Sequence, residues 1–397
     1  MKALIILAMC LLAGSSLQAQ EYLREVLSKL ESVKSATYDL YSEGWMAGDT
    51  LPSSVSKVFV EEYRNPQDTT IGSSFLEWDS EDKTRFELGY DGTVSVYMNR
   101  YQKVAEVNDF SNQFLPVRLI QPPFFNYVTS IIRYTLETKD NVTREVKETE
   151  KEYYLKLTID EGVEVEFFGK PFHFPEMSFM ADPIMVFEIW IDKETGLPYK
   201  YKRELCGSNS GIDECSNVKL NTLPDKNFDL YALVPEGYEL VRMGEKNKCD
   251  EEPFKLADKP APDWTAVNMQ GDSVSLSSLK GKVTLLNLTG IGCGVCQLAI
   301  PFLNELDKRF DKDKFQLVAI DSWGKPLVNV RNYISRHQVG YTFLSGNEQI
   351  ILDYKTGGFV PFFFLLDENL VIRKVIKGYA KGTTEKKIID AIEELLK

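Results

Sequence analysis

The stretch Val283-Thr284-Leu285-Leu286-Asn287-Leu288-Thr289-Gly290-Ile291-Gly292-Cys293-Gly294-Val295-Cys296 decides how the last third of the chain folds. Val283 to Leu288 is a short apolar run, the mark of a buried strand. Glycines at 290 and 292 break it, and beyond the cysteines Val295, Leu298, Ala299, Phe302, Leu303, Leu306 and Phe310 recur on one helical face. The dithiol therefore stands at a strand-to-helix junction. Free amides and the positive dipole end of a helix stabilise a thiolate, the species that attacks a disulfide. Cys293 at the mouth is placed to attack, and Cys296, one turn in, to resolve the mixed disulfide.

Downstream, Phe315 to Ile320 reads as a second buried strand, Leu327 to Gln338 as a helix and Tyr341 to Leu344 as a strand. A short helix near Ile350 to Tyr354 precedes Gly357-Gly358-Phe359-Val360-Pro361, which enters the strand Phe362 to Leu366. A turn at Asp367-Glu368-Asn369, the strand Leu370 to Ile376 and a helix from about Thr384 to Leu396 end the chain. Strands alternating with helices, closed by a hairpin and a helix, predict a thioredoxin-like α/β sandwich.

Pro260 to Lys397 resembles the TlpA/ResA group of periplasmic thiol-disulfide oxidoreductases in the redoxin superfamily. The matching residues are Ala261-Pro262-Asp263-Trp264, Leu279-Lys280-Gly281-Lys282-Val283, the Cys-x-x-Cys, Pro301 and Val360-Pro361 before a strand. The resemblance implies that Pro361 is cis beside the cysteines and that the backbone of Val360 pairs with the client. Two departures stand out. The family's aromatic residue before the first cysteine is Gly292 and its second upstream Trp is Thr289; its proton-shuttling acid is replaced by Asn287 and Ala299 at the two positions relatives use. Cys296 then needs water or another group to move its proton.

Other readings of the cysteine pair fit less well. A closed zinc site needs four ligands, and the chain offers His173, His337 and no second Cys-x-x-Cys, so no metal or other cofactor is expected. A peroxidase would carry Pro-x-x-x-Thr-x-x-Cys, whereas Thr289 lies four before Cys293 with no such proline. A non-catalytic client- or lipid-binding protein with a docking thioredoxin domain stays open as the alternative, favoured by Gly292, Asn287 and Ala299. The Gly294-Val295 pair lacks a His that would make the dithiol strongly oxidising, which favours reductase over oxidase.

At 397 residues the chain exceeds one ordinary core, and two domains are expected. The net charge of -13 lies in the front: residues 251–397 hold 18 acidic and 19 basic side chains, leaving 41 and 27 for residues 1–250. An acidic surface without a basic stripe argues against nucleic-acid binding. Met1-Lys2, the apolar run Ala3 to Ala13 and Gly14 to Gln20 have a signal-peptide layout with cleavage after Ala19, so a periplasmic location follows. Lipoprotein anchoring at Cys10 is the lesser alternative, because Met9 is bulky where a small residue is wanted. In an oxidising compartment Cys206 and Cys215, flanking Gly207-Ser208-Asn209-Ser210-Gly211, are candidates for a structural disulfide, and Cys249 stays unpaired or takes one of them.

Residues 20–222 read as a β-rich domain: an amphipathic helix over Glu21 to Ser35, then alternating runs such as Ser56 to Val60, Thr93 to Met98, Tyr153 to Ile159 and Met185 to Ile191. Ile191-Asp192-Lys193-Glu194-Thr195-Gly196-Leu197-Pro198 is a hairpin turn with Tyr199 to Lys202 returning. Here the chain resembles LolA-like lipoprotein-carrier domains, which implies a helix on a curved antiparallel sheet forming a half-barrel. The aromatic stretches Gln121 to Val128 and Phe167 to Pro175 either plug that sheet as core or line a cavity for an apolar ligand. Residues 223–259, punctuated by Pro224, Pro235 and Pro253, read as a linker before the redox domain at 260–397. The function expected is an exported thiol-disulfide oxidoreductase acting on disulfide-containing clients, with a redox partner exchanging its electrons.

Overall fold

The computed structural model describes residues 19–113, 115–175, 184–224, 228–245 and 248–397, the side chains of 248 and 249 excepted. The expected export segment up to residue 18, with Cys10, and the Cys249 side chain lie outside the described residues. No helix among the described residues is long and apolar enough to cross a membrane. Contacts divide the chain into two compact units: one takes residues up to Ala47 with Ser54–Met98 and Ala105–Met243, the other Gly48–Ser53, Asn99–Val104 and Gly244–Lys397.

The first unit opens with the helix of residues 19–32, which buries Leu23, Val26, Leu27 and Leu30 on one face as their spacing predicts. Twelve strands make one sheet, from Glu239–Arg242 at one edge to Val142–Glu148 at the other. Near its middle Ser35–Met46 pairs antiparallel with Ser54–Arg64 on one side and Asn209–Leu220 on the other. The expected hairpin joins Met185–Asp192 to Leu197–Leu205. Its turn is held by Asp192 Oδ1, which accepts from the Thr195 amide at 2.8 Å and hydroxyl at 2.7 Å. Strict alternation buries Tyr153, Leu155, Leu157 and Ile159 on one strand and Met185, Phe187, Ile189 and Ile191 on its neighbour.

In this unit one open choice is decided and two expectations are corrected. The aromatic stretch after Pro122-Pro123 is a helix, Phe124–Glu137, in which Asn126, Thr129, Arg133 and Glu137 recur on the outer face and the aromatic and aliphatic residues fill the buried one. Phe124, Phe125, Tyr127, Val128, Ile131 and Ile132 are core, packed with the sheet as the plugging alternative has it. Of the supposed linker, Glu239–Arg242 is an edge strand and Leu230 is buried with Leu76, Phe86 and Val96, so folded structure continues to Met243. Cys206 and Cys215 are not bonded to each other: Cys206 follows the strand end at Leu205, whereas Cys215 pairs with Leu40 well along Asn209–Leu220. Six residues of strand rise, roughly 20 Å, separate Asn209 from Cys215, far beyond disulfide reach.

The start of the Phe124–Glu137 helix rests on Glu62, which accepts from the Phe125 amide at 3.2 Å, the Asn126 amide at 2.8 Å and the Tyr38 hydroxyl at 2.9 Å. Burial pushes its carboxyl from the ordinary 4.5 up to about 7, against those hydrogen bonds.

The second unit holds a seven-stranded sheet in the order Ser273–Ser275, Thr265–Val267, Thr342–Ser345, Phe315–Asp321, Val283–Thr289, Phe362–Leu366, Ile372–Lys377. The three central strands 283–289, 315–321 and 342–345 run parallel, and 362–366 joins antiparallel. Leu285, Leu317 and Ala319 face the helices Gly294–Arg309, Leu327–Arg336 and Thr383–Leu395, while Leu286, Leu288, Val318 and Ile320 meet Trp264, Leu276 and Tyr354 on the other face. Burial on both faces explains why Val283 to Leu288 shows no alternation.

A raised Glu62 means the folded protein holds a proton that the unfolded chain releases near pH 4.5, so this contribution to stability is full below about 4.5 and is lost as pH rises through about 7. Urea midpoints of the first unit are therefore expected to fall over that window, and Glu62→Gln to flatten the fall; an equal slope in the variant contradicts this.

Candidate active site

The buried strand Val283–Thr289 ends in a tight turn in which the Cys293 amide donates to the Gly290 carbonyl at 3.1 Å. Gly292 takes φ +89°, a conformation in which a side chain is strained, which accounts for the absence of an aromatic residue before the dithiol. Cys293 is the N-cap of the helix Gly294–Arg309, and the Cys296 amide points at its sulfur at 3.2 Å. The two cysteines are joined as a disulfide, with Cα atoms 5.2 Å apart. Cys293 is half-buried and Cys296 is buried, so one sulfur meets solvent and the other lies behind it.

The Val360–Pro361 peptide is cis, and the Val360 carbonyl oxygen stands 3.9 Å from Cys293 Sγ. Cys293, Cys296, Val360 and Pro361 are thus brought to one place. Around them Val295, Leu298 and Phe359 are 46%, 69% and 40% exposed, an apolar rim that folding leaves uncovered. Asn287 and Ala299 are buried on the helix-facing side of the sheet, and neither brings an acid; the Asn287 Oδ1 is buried without a hydrogen-bond partner among the described residues.

Asp321 went unnoticed in the sequence. It is fully buried at the end of Phe315–Asp321, beside Thr289 of the dithiol strand. Its Oδ1 accepts from the Ile291 amide at 2.9 Å, and its Oδ2 from the Lys325 amide at 3.0 Å. Burial raises its carboxyl above the ordinary carboxylate range, while those two amides work the other way. A charged residue closing an apolar run, at the carboxyl end of a parallel strand, is the signal that could have found it.

A three-residue cluster with metal-ligating atoms, Asp140, Glu161 and His173, belongs to the first unit. Its members are engaged internally: His173 Nε2 lies 2.9 Å from Asp140 Oδ2, which also accepts from the Tyr134 hydroxyl at 2.5 Å.

A buried strand feeding a helix-capping Cys-x-x-Cys, faced by a cis-proline, defines a thioredoxin-like redox domain. Residues 256–392 match the Redoxin family model. Among curated relatives, the thiol-disulfide oxidoreductase ResA of Geobacillus thermodenitrificans is 26% identical over 34% of this chain and 76% of its own length. The ResA of Bacillus cereus is 27% identical over 34% of this chain and 79% of its own. A solved structure, a thioredoxin-family thiol:disulfide interchange protein from Chlorobium tepidum, is 24% identical over 35% of this chain and 96% of its own, with a TM-score of 0.29. The protein is an oxidoreductase whose C-terminal part is a redoxin domain.

Removing the Asp321 carboxylate leaves the buried Ile291 amide without an acceptor, a cost of roughly 1–3 kcal/mol. Asp321→Ala is expected to lower the unfolding free energy of the second unit by that amount, read from urea denaturation, and Asp321→Asn, which keeps one acceptor oxygen, by less; equal losses contradict the role.

Proposed function

We propose that the protein is an exported thiol-disulfide oxidoreductase that works in the reducing direction on disulfide-bearing client proteins. The reading is carried by one observation: Cys293 is the half-buried N-cap of a helix with the Cys296 amide 3.2 Å from its sulfur, and Cys296 is buried behind it. Amides directed at the Cys293 sulfur favour its thiolate over its thiol.

The reduced Cys293 thiolate attacks one sulfur of a client disulfide, and the client's other sulfur leaves as a thiolate that takes up a proton. A mixed disulfide now joins Cys293 to the client. Cys296, once deprotonated, attacks Cys293 Sγ, the bond to the client breaks, and the client leaves with both its sulfurs reduced. Two electrons have passed to the client, the dithiol is left as the Cys293–Cys296 disulfide, and a thiol redox partner returns the electrons by the same exchange run backwards. With Asn287 and Ala299 at the two positions nearest such a role in relatives, the proton of Cys296 leaves to water.

Val360 and Pro361 take the client-binding role. The Val360 carbonyl beside Cys293 Sγ is an acceptor for a client amide, and the rim of Val295, Leu298 and Phe359 suits apolar residues flanking a client cysteine. Export is supported by the layout of Met1 to Ala19. For the first unit a carrier-like half-barrel that presents clients is supported by its helices packed on one long antiparallel sheet and by the Ile191 to Pro198 hairpin.

Cys296→Ser is expected to accumulate mixed disulfides with clients in the exported compartment, and Cys293→Ser none; equal yields from both would refute the assignment of roles. Equilibration of the wild type with glutathione is expected to give a potential near roughly -270 mV, whereas one near roughly -120 mV would reverse the direction to oxidase.

A further inference from the structure

The aromatic cover that is missing before Cys293 is supplied from the turn after the strand Phe315–Asp321. Trp323, two residues past Asp321, is partly exposed and lies against the backbone of the dithiol turn: a Cβ added to Gly290 would stand 2.5 Å from its Cε3 and 2.6 Å from its Cδ2. The same side chain reaches the opposite loop, where its Nε1 donates to the Gly358 carbonyl at 3.0 Å. Gly358 lies two residues before Val360, in the segment that ends at the cis peptide.

The turn that carries this ring is fastened at several points. The Ser322 amide donates to the Thr289 carbonyl at 2.9 Å, the Gly346 amide to the Asp321 carbonyl at 2.9 Å and the Lys325 amide to Asp321 Oδ2 at 3.0 Å. Asp321 and Ser322 are both fully buried. An indole on so rigid a base holds its two contacts at a set distance from each other.

We propose that Trp323 is a positioning residue for protein clients: seated on Gly290 and bonded to Gly358, it fixes the spacing between the dithiol turn and the cis-proline loop, the two backbones between which a client strand lies. This rests on the thiol-disulfide reading above and specifies which substrates feel the residue. A client that pairs with Val360 needs both loops in register. A small disulfide needs only access to the Cys293 sulfur. Gly290 is part of the same device, since any side chain there displaces the ring.

The test compares reduced wild type with Trp323→Phe, Trp323→Ala, Gly290→Ala and the Gly290→Ala/Trp323→Ala pair, using insulin as protein disulfide and oxidised glutathione as small one. Trp323→Phe keeps a ring but removes the N–H donor to Gly358. It is expected to lower kcat/KM for insulin roughly threefold to tenfold, chiefly through KM, as befits one lost hydrogen bond. Its rate with glutathione and its redox equilibrium are expected to stay within about twofold of wild type, a loss no larger than half that of a single hydrogen bond. Gly290→Ala is expected to reproduce the insulin defect, and the double variant to be no worse than Trp323→Ala, because the alanine then has no ring to displace. Should Trp323→Ala fail to fold, Trp323→Phe and Gly290→Ala decide alone. Equal losses on both substrates, additive losses in the double variant, or an unchanged insulin rate would each overturn the assignment. A wild type that exchanges neither disulfide overturns the catalytic reading itself, and the assignment with it; an active wild type matched by its variants overturns the assignment only.

Discussion

A buried carboxylate that accepts backbone amides is costly to desolvate and costly to remove, and such a group fixes whatever backbone it touches. Asp321 is placed in that way. It ties the turn before Cys293 to the end of the neighbouring parallel strand through Ile291, and its own backbone ties that strand end to Gly346. The N-cap geometry of Cys293, its approach to Val360 and the seat of Trp323 on Gly290 all depend on where that turn lies. The sulfur chemistry is therefore held by a residue that never touches sulfur.

The first unit uses the same device on a larger scale. Glu62 receives the opening amides of the Phe124–Glu137 helix, and Glu166 receives the Tyr127 hydroxyl from that helix and the Arg203 guanidinium from the sheet. Burial and nearby carboxylates hold Tyr127 and Tyr201 protonated well above the ordinary phenol range, so both remain hydrogen-bond donors. Apolar contacts alone tolerate a helix that slides or turns on a sheet; directional bonds of this kind do not. In the Phe124–Glu137 helix these polar contacts and the buried apolar face fix the same orientation.

How much was legible in the sequence follows from the reach of each interaction. The Cys293-x-x-Cys296 junction, the strand Val283–Thr289 and the Asp192 to Pro198 turn are set by neighbours a few residues away, and their patterns show. The cis peptide at Pro361 followed from resemblance. Trp323 was not legible, because its meaning lies in partners some thirty residues off, Gly290 on one side and Gly358 on the other; Asp321 showed only as a charge closing an apolar run, without its partner Ile291. Cys206 and Cys215 misled for the opposite reason: they are close along the chain, but an extended strand carries them apart. Pro123 stands at the N-cap of the Phe124–Glu137 helix, where its missing amide costs nothing.

The middle of the large sheet has a consequence for how the chain comes into being. Ala36 pairs with Leu220 and Met46 with Asn209, so one of the first strands made is completed by one of the last of its unit. Contacts so distant in sequence close slowly, since a long loop loses its freedom before any pairing is gained. During synthesis the strand Ser35–Met46 has only Ser54–Arg64 beside it until residues 209–220 emerge, and its other edge stays open meanwhile. The bulk of the redox unit, Gly244–Lys397, follows the large sheet along the chain. A nascent chain of this protein therefore passes through an interval in which an unpaired sheet edge is exposed, the kind of edge on which association between chains begins.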